Sequence, residues 1–157
     1  MACEDKHQYK FGHGTDEAHR RDQALFSQLL ENHWKLNRKT AFLPNGIRVV
    51  TRSTDPGLVK VLQQHVEGME KRFASGRAIR SWDPLFAALF EFRDQIRMRY
   101  ENEPDGVVAE LTSDDPKIVE LIRAHDETLH NFIRAGYNIS GEPSPAPEWV
   151  RAHYGEA

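Results

Sequence analysis

Cysteine is almost absent from this chain of 157 residues, since Cys3 is the only one. A single cysteine excludes an internal disulfide and a thiolate metal cluster, so non-covalent packing has to hold the fold together. A chain of this length buries roughly 70% of its unfolded surface, which is enough for a core without covalent support.

Long hydrophobic runs and a strong charge of either sign are also missing. No apolar stretch approaches the roughly 20 residues of a membrane-spanning helix, so we expect no membrane span. The formal net charge is −3, from 21 basic and 24 acidic residues. Nucleic-acid binders carry an excess of basic residues, so we expect no nucleic-acid partner. The composition is typical of a soluble globular protein.

Motifs of catalysis and cofactor binding are absent as well. The chain has no phosphate loop, no dinucleotide fingerprint, no His-Glu-x-x-His and no pair of cysteines at metal spacing. The recurring aspartates Asp55 and Asp115 each precede a proline and are typical of helix caps. A general base at His65 or His125 would need a polar cleft that no motif indicates. We therefore expect a binding protein and not an enzyme.

What the chain does contain is an internal repeat. Residues 25–76 align with residues 85–136 at an offset of 60 and without a gap, and 13 of the 52 aligned positions are identical. Chance would give roughly three identities at ordinary residue usage. The identities include residues that turns, helix caps and cores require, namely Pro44/Pro104, Gly46/Gly106, Ser53/Ser113, Pro56/Pro116 and His65/His125.

Each unit has the pattern of a helix, a hairpin and a second helix. In the first unit an apolar helical stripe is followed by alternating residues around Asn45-Gly46, where we expect positive backbone φ angles in a tight turn. A lone hairpin is marginally stable, so the two hairpins should join. The sequence predicts an α+β fold: two tandem helix–β-hairpin–helix repeats forming a pseudo-twofold domain with a central four-stranded antiparallel sheet.

The domain organisation follows from the repeat. We expect a polar N-terminal arm over residues 1–22, repeat unit 1 over 23–76, a linker over 77–82 and repeat unit 2 over 83–136. Residues 137–157 form a proline-rich tail that contains Trp149. This tryptophan would dock either on the domain or on a partner.

Three histidines are the candidate ligand residues. His65 and His125 lie on the apolar stripes of equivalent helices, and His33 lies on the apolar side of the first helix. One hypothesis is that they bind a transition metal or haem at the junction of the two repeats, because imidazoles on facing helices form such sites. The alternative is that they are neutral core residues bonded to backbone carbonyls or carboxylates. The equivalent of His33 is Arg93, so a three-histidine site would be asymmetric.

The first hairpin is basic and the second is acidic. Residues 35–52 contain no acid and five basic side chains, Lys35, Arg38, Lys39, Arg48 and Arg52, whereas residues 95–112 contain four acids and two arginines. These charges would either pair across neighbouring strands or form solvated surfaces. The basic hairpin also supports a second hypothesis for function. The protein would be a structural or protein-interaction module without a ligand, which contacts a protein partner or a second copy through the basic hairpin or the Trp149 tail.

Three segments of the chain resemble an uncharacterised family of duplicated bacterial proteins. They are LPNGIRVVTRSTDPGLVKVLQQHVEGMEKRF, RAIRSWDPLF and ELTSDDPKIVELIRAHDETLHNFI. The resemblance implies no known activity. Relatives often look exported, which implies a periplasmic or exported protein if the N-terminus near Cys3 is trimmed. As the sequence is written, we expect a cytoplasmic protein. They also tend to carry H-A-D-K-I where this chain has Phe92-Arg93-Asp94-Gln95-Ile96. If that histidine is a ligand in the relatives, the resemblance implies that a metal role is less expected in this chain.

Overall fold

The chain forms the helix–hairpin–helix unit twice, and the two hairpins join into one sheet. A computed structural model describes residues 17–75, 83–136 and 144–153. The helices are α1 (Glu17–Glu31), α2 (Pro56–Ser75), α3 (Pro84–Glu91), α4 (Pro116–Ala135) and α5 (Glu148–His153), and the strands are β1 (Leu36–Leu43), β2 (Gly46–Ser53), β3 (Arg97–Glu103) and β4 (Gly106–Thr112). Outside the described residues lie Cys3 with the rest of residues 1–16, the predicted linker 77–82, and residues 137–143 and 154–157 of the predicted tail. Residues 17–22, predicted as part of the arm, belong to α1.

The sheet is antiparallel throughout and has the strand order β1-β2-β4-β3. Its centre is the pairing of β2 with β4, in which Val49 lies opposite Ala109. These two residues are also related by the 60-residue offset, so the pseudo-twofold axis passes through this pair. The predicted α+β fold with a four-stranded antiparallel sheet is confirmed.

Close backbone contact explains the two recurring glycines at the hairpin turns. A Cβ atom at Gly46 would overlap the carbonyl oxygen of Leu111, and one at Gly106 would overlap the carbonyl oxygen of Thr51. The expected positive φ at Gly46 is wrong, since Gly136 is the only described glycine with a positive φ, at 59°. The glycines are needed because β2 and β4 stay paired up to their first residues, which presses each strand start against its neighbour.

The helix caps predicted from the sequence are confirmed. The carboxylate of Asp55 accepts a hydrogen bond from the backbone N–H of Gly57 at 3.0 Å, and Asp115 accepts one from Lys117 at 2.9 Å. In both units the serine two residues earlier accepts the backbone N–H of the aspartate. The same short motif therefore begins both α2 and α4 directly after a central strand.

Each long helix lies over strands of the other unit. The α4 helix contacts β1 and β2, and the α2 helix contacts β4 and β2. Two hydrogen bonds related by the offset fix this arrangement: Gln63 Nε2 donates to the Glu103 carbonyl oxygen at 2.8 Å, and Arg123 Nη2 donates to the Leu43 carbonyl oxygen at 2.7 Å. The core therefore lies on the helix-covered face of the sheet, where Ile47 is fully buried.

The C-terminal tail docks on the second unit. Val150 of α5 is fully buried, and the Trp149 ring meets Phe92 edge to face with 5.6 Å between centroids. The backbone N–H and the hydroxyl of Ser144 bond the Asp83 carboxylate at 3.1 and 2.6 Å. Trp149 thus packs within its own chain. Within the described ranges, no helix has the length and apolar character to span a membrane.

The glycine contacts lead to a stability prediction. Gly46→Ala should lower the free energy of unfolding by at least about 2 kcal/mol, because the added methyl group overlaps backbone of the neighbouring strand and only strand separation would relieve it. Gly57→Ala, in the first turn of α2, is the matched control, since its Cβ would meet only Asp55 at 3.4 Å. Urea unfolding of both variants measures the difference, and equal stability would contradict the proposed role of Gly46.

Candidate functional site

A cavity of about 240 Å³ lies between the helices and the inner face of the sheet. No residue that lines it is exposed. Most of the lining residues are related in pairs by the 60-residue offset, among them Phe26/Phe86, Leu29/Leu89, Val49/Ala109, His65/His125 and Met69/Leu129. The pseudo-twofold axis therefore passes through the cavity, and both units build its wall.

His65 on α2 and His125 on α4 both line this cavity. The Nδ1 atom of each ring is buried and has no hydrogen-bond partner among the described residues. The His65 ring stacks on Phe26 with 5.9 Å between centroids, and the His125 ring meets Phe86 edge to face at 5.4 Å. Each unit thus presents a phenylalanine–histidine pair to the same space.

Both histidines are neutral at neutral pH. Burial lowers the pKa of His65 from 6.5 to about 4, partly opposed by the charge of Asp22. Burial also lowers the pKa of His125 to about 4, and the nearby Arg38 cation lowers it further while Asp126 opposes the shift. A neutral imidazole carries one N–H donor and one acceptor nitrogen. Each ring therefore offers unused hydrogen-bonding capacity in apolar surroundings.

A buried ion pair makes one end of the cavity polar. The Arg38 side chain donates from Nη2 at 2.8 Å and from Nε at 3.3 Å to Asp126 Oδ1, and the Thr40 hydroxyl donates to the same oxygen at 2.7 Å. Burial lowers the pKa of Arg38, and the attraction of Asp126 opposes this shift. The equivalents of Arg38 and Asp126 in the other half are Met98 and Val66.

The cavity is consequently symmetric in shape but not in polarity. Arg38 and Thr51 of the first hairpin line one side, where their equivalents on the other side are Met98 and Leu111. The α4 helix that carries His125 lies over this first hairpin, so His125 belongs to the polar end. His65 lies on α2, which contacts β4 of the second hairpin.

His33 lines the same cavity but its ring is already bonded. Its Nδ1 donates to the carbonyl oxygen of Ile133 at 2.6 Å, as expected for a core histidine. In the part of the chain that the structure describes, no three His, Cys, Asp or Glu side chains form a group that would hold a metal ion. His33, His65 and His125 share a cavity and do not form such a group.

The basic residues of the first hairpin lie in different environments. Arg38 is inside, whereas Arg48 bridges to Glu110 on β4 at 3.8 Å and Arg52 bridges to Glu103 at 3.3 Å. Lys35 pairs with Asp55 at 3.3 Å, and Lys39 faces solvent. These two lysines are exposed, as are Arg48 and Arg52. Charges do pair across the two hairpins, although exposed pairs contribute only about 0–1 kcal/mol each. A partner-binding role for this hairpin stays a prediction.

Asp126 is the important residue that the sequence interpretation missed. It follows His125 directly, on a helix whose repeat counterpart has Val66 at that position. A signal was present in the repeat alignment, because Arg38 replaces Met98 and Asp126 replaces Val66 with charges of opposite sign. Two compensating exchanges from apolar to charged residues predict a buried contact between the two positions.

Comparison with models of protein families, with curated proteins and with solved structures finds no match for this chain. The resemblance to a duplicated bacterial family stays a prediction.

The neutral histidines predict a loss of stability in mild acid. The unfolded chain binds protons on both histidines near pH 6.5, whereas the folded chain does so only near pH 4. Their contribution to the free energy of unfolding is therefore complete above pH 6.5 and falls as the pH drops through this window, by roughly 1.4 kcal/mol per pH unit for each ring. Urea unfolding across this window measures the slope. A His65→Leu/His125→Leu variant with the same slope would contradict the assignment.

The ion pair predicts a non-additive stability effect. Asp126→Ala leaves Arg38 buried without its anion and should cost about 3–5 kcal/mol of unfolding free energy. The double variant Arg38→Met/Asp126→Val installs the residues of the other half and should cost less than the single one. Glu110→Ala on the exposed face is the control, with an expected effect of about 1 kcal/mol or less. Additive costs in the double variant would rule out the pairing.

Proposed function

We propose that this protein is a non-enzymatic binding protein, and that it holds a small, mainly apolar organic molecule in the cavity between its two repeats. The observation that carries the proposal is the pair of histidines, one from each unit, which line a single cavity and whose Nδ1 atoms have no hydrogen-bond partner among the described residues. Each buried Nδ1 has almost no accessible surface, so a ligand in the cavity would bond the other nitrogen of each ring, Nε2.

The size and lining of the cavity support an organic ligand. Its volume of about 240 Å³ exceeds the roughly 150 Å³ of an engineered cavity that binds benzene. It lies slightly below the range of about 300–1,000 Å³ that is usual for pockets around drug-sized molecules. Aromatic and aliphatic side chains form most of the wall, and a few polar groups interrupt it, as in many small-molecule sites.

A transition metal or haem is the ligand that the sequence first suggested. Imidazole nitrogens from two helices suit either group. A metal or haem is less well supported than an organic ligand, because His33 Nδ1 already forms a hydrogen bond with a backbone carbonyl. The described residues also contain no carboxylate or cysteine that would complete a group of three metal ligands. Metal and haem therefore enter the test as competing ligands.

Exposed aromatic side chains support a second candidate, the protein-interaction module. Trp34 is 67% exposed and Phe42 is 64% exposed, and both lie at or beside the edge strand β1. Aromatic residues are enriched at protein interfaces. A Trp34→Ala/Phe42→Ala variant should shift the apparent mass in size-exclusion chromatography if a second copy binds there, and an unchanged mass would remove self-association from this candidate.

The decisive experiment is thermal unfolding with a set of ligands. Toluene should raise the unfolding midpoint of the native protein, because a ligand at a hundred times its Kd adds about 2.7 kcal/mol to the free energy of unfolding. Zinc, copper and haemin are titrated in parallel. A shift with toluene but not with these three supports the proposal, whereas a shift with metal or haemin that disappears in His65→Leu/His125→Leu would replace it.

A cavity-filling variant separates the cavity from other binding surfaces. Ala109 lies on the axis and lines the cavity with a small side chain, so Ala109→Leu occupies space that a ligand needs. This variant should lose the toluene shift. Arg99→Ala, on the exposed face of the sheet, is the matched control and should keep it. A toluene shift that persists in Ala109→Leu would place the ligand elsewhere.

A further inference from the structure

We infer that the cavity takes an uncharged molecule with an apolar body and one hydrogen-bonding head group, and that the head lies at the Arg38–His125 end. This inference rests on the proposed function and names the chemical class of its ligand. The observation behind it is the exchange of Arg38 and Asp126 for Met98 and Val66 across the pseudo-twofold axis, which gives an otherwise symmetric cavity two different ends.

The polar end offers both kinds of hydrogen-bonding group. His125 brings a neutral imidazole whose Nδ1 has no hydrogen-bond partner among the described residues. Arg38 forms part of the cavity wall while two of its three nitrogens bond Asp126. Thr51 lines the same side from the neighbouring strand. A hydroxyl or amide head both donates and accepts, so it matches an imidazole and a guanidinium at once.

The charge balance of this end selects against an ionised head group. Arg38 is balanced by Asp126, and His125 is neutral. A carboxylate would therefore place a second anion near Asp126 without a cation of its own, and an uncompensated charge in an apolar site is strongly disfavoured. An uncharged head uses the same hydrogen bonds without this penalty.

The other end suits an apolar body. Met98 and Val66 stand where the first end has its ion pair, and Leu111 stands where it has Thr51. Phe26 stacks on His65 there and widens the apolar wall. A single ring or a short branched chain attached to the head would fill this part, given the total volume of about 240 Å³.

Three probes of similar shape test the inference: toluene without a head, p-cresol with a hydroxyl, and benzoate with a carboxylate. Titration calorimetry near neutral pH should show p-cresol binding about tenfold more tightly than toluene, which corresponds to one net hydrogen bond. Benzoate should bind more weakly than both. Equal affinities for p-cresol and toluene, or tightest binding of benzoate, would overturn the inference and leave the proposed function standing. Failure of both neutral probes to bind would overturn the proposed function as well.

Two variants locate the head group. Arg38→Met/Asp126→Val makes the polar end a copy of the apolar one, so the preference for p-cresol over toluene should vanish while toluene still binds. His125→Leu keeps the ion pair and should reduce the preference at least about threefold, which covers the case in which the double variant does not fold. Arg99→Ala, on the exposed face of the sheet, is the matched control and should keep the preference. A preference lost in His65→Leu and kept in His125→Leu would reverse the assigned orientation.

Discussion

The pairing of β2 with β4 is the contact on which the rest of the molecule depends. A single hairpin is marginally stable, and this pairing turns two hairpins into one sheet with a buried face. It sets the pseudo-twofold axis at Val49 and Ala109, and it brings the start of each central strand so close to its neighbour that only glycine fits at Gly46 and Gly106. Since α2 and α4 each begin directly after a central strand, the same pairing places each helix over the other unit.

The cavity and its histidines follow from this symmetry. Any residue that points toward the axis in one unit meets its counterpart from the other, so one phenylalanine–histidine pair becomes two that face a shared space. If the two repeats were identical, both ends of the cavity would have the same polarity. The Arg38–Asp126 pair breaks the equality and also acts on His125, which is why the two histidines are equivalent in position and differ in surroundings. Selectivity in this account comes from the residues that differ between the repeats.

Local patterns predicted most of the fold, because turns, caps and helix stripes depend on residues a few positions apart. Asp55 and Asp115 cap their helices as expected, and the hairpins turn at Asn45-Gly46 and at the equivalent position before Gly106. The reason for the turn glycines was wrong, because it lies in contact between strands and not in the turn itself. The cavity and the burial of Arg38 were not predicted, since a charge run at strand spacing looks the same whether one arginine points inward or all point outward.

Nitrogen NMR of the imidazole side chains tests the central claim most directly. Histidine-labelled protein near neutral pH should show neutral rings for His65 and His125, since burial lowers the pKa of both to about 4. Addition of p-cresol should shift the ring nitrogens of His125 most, with little change at the exposed His153. In this account, histidine in the cavity forms a hydrogen bond with the ligand. Protonated rings at neutral pH, or ring nitrogens whose signals stay unchanged while p-cresol binds, would contradict it.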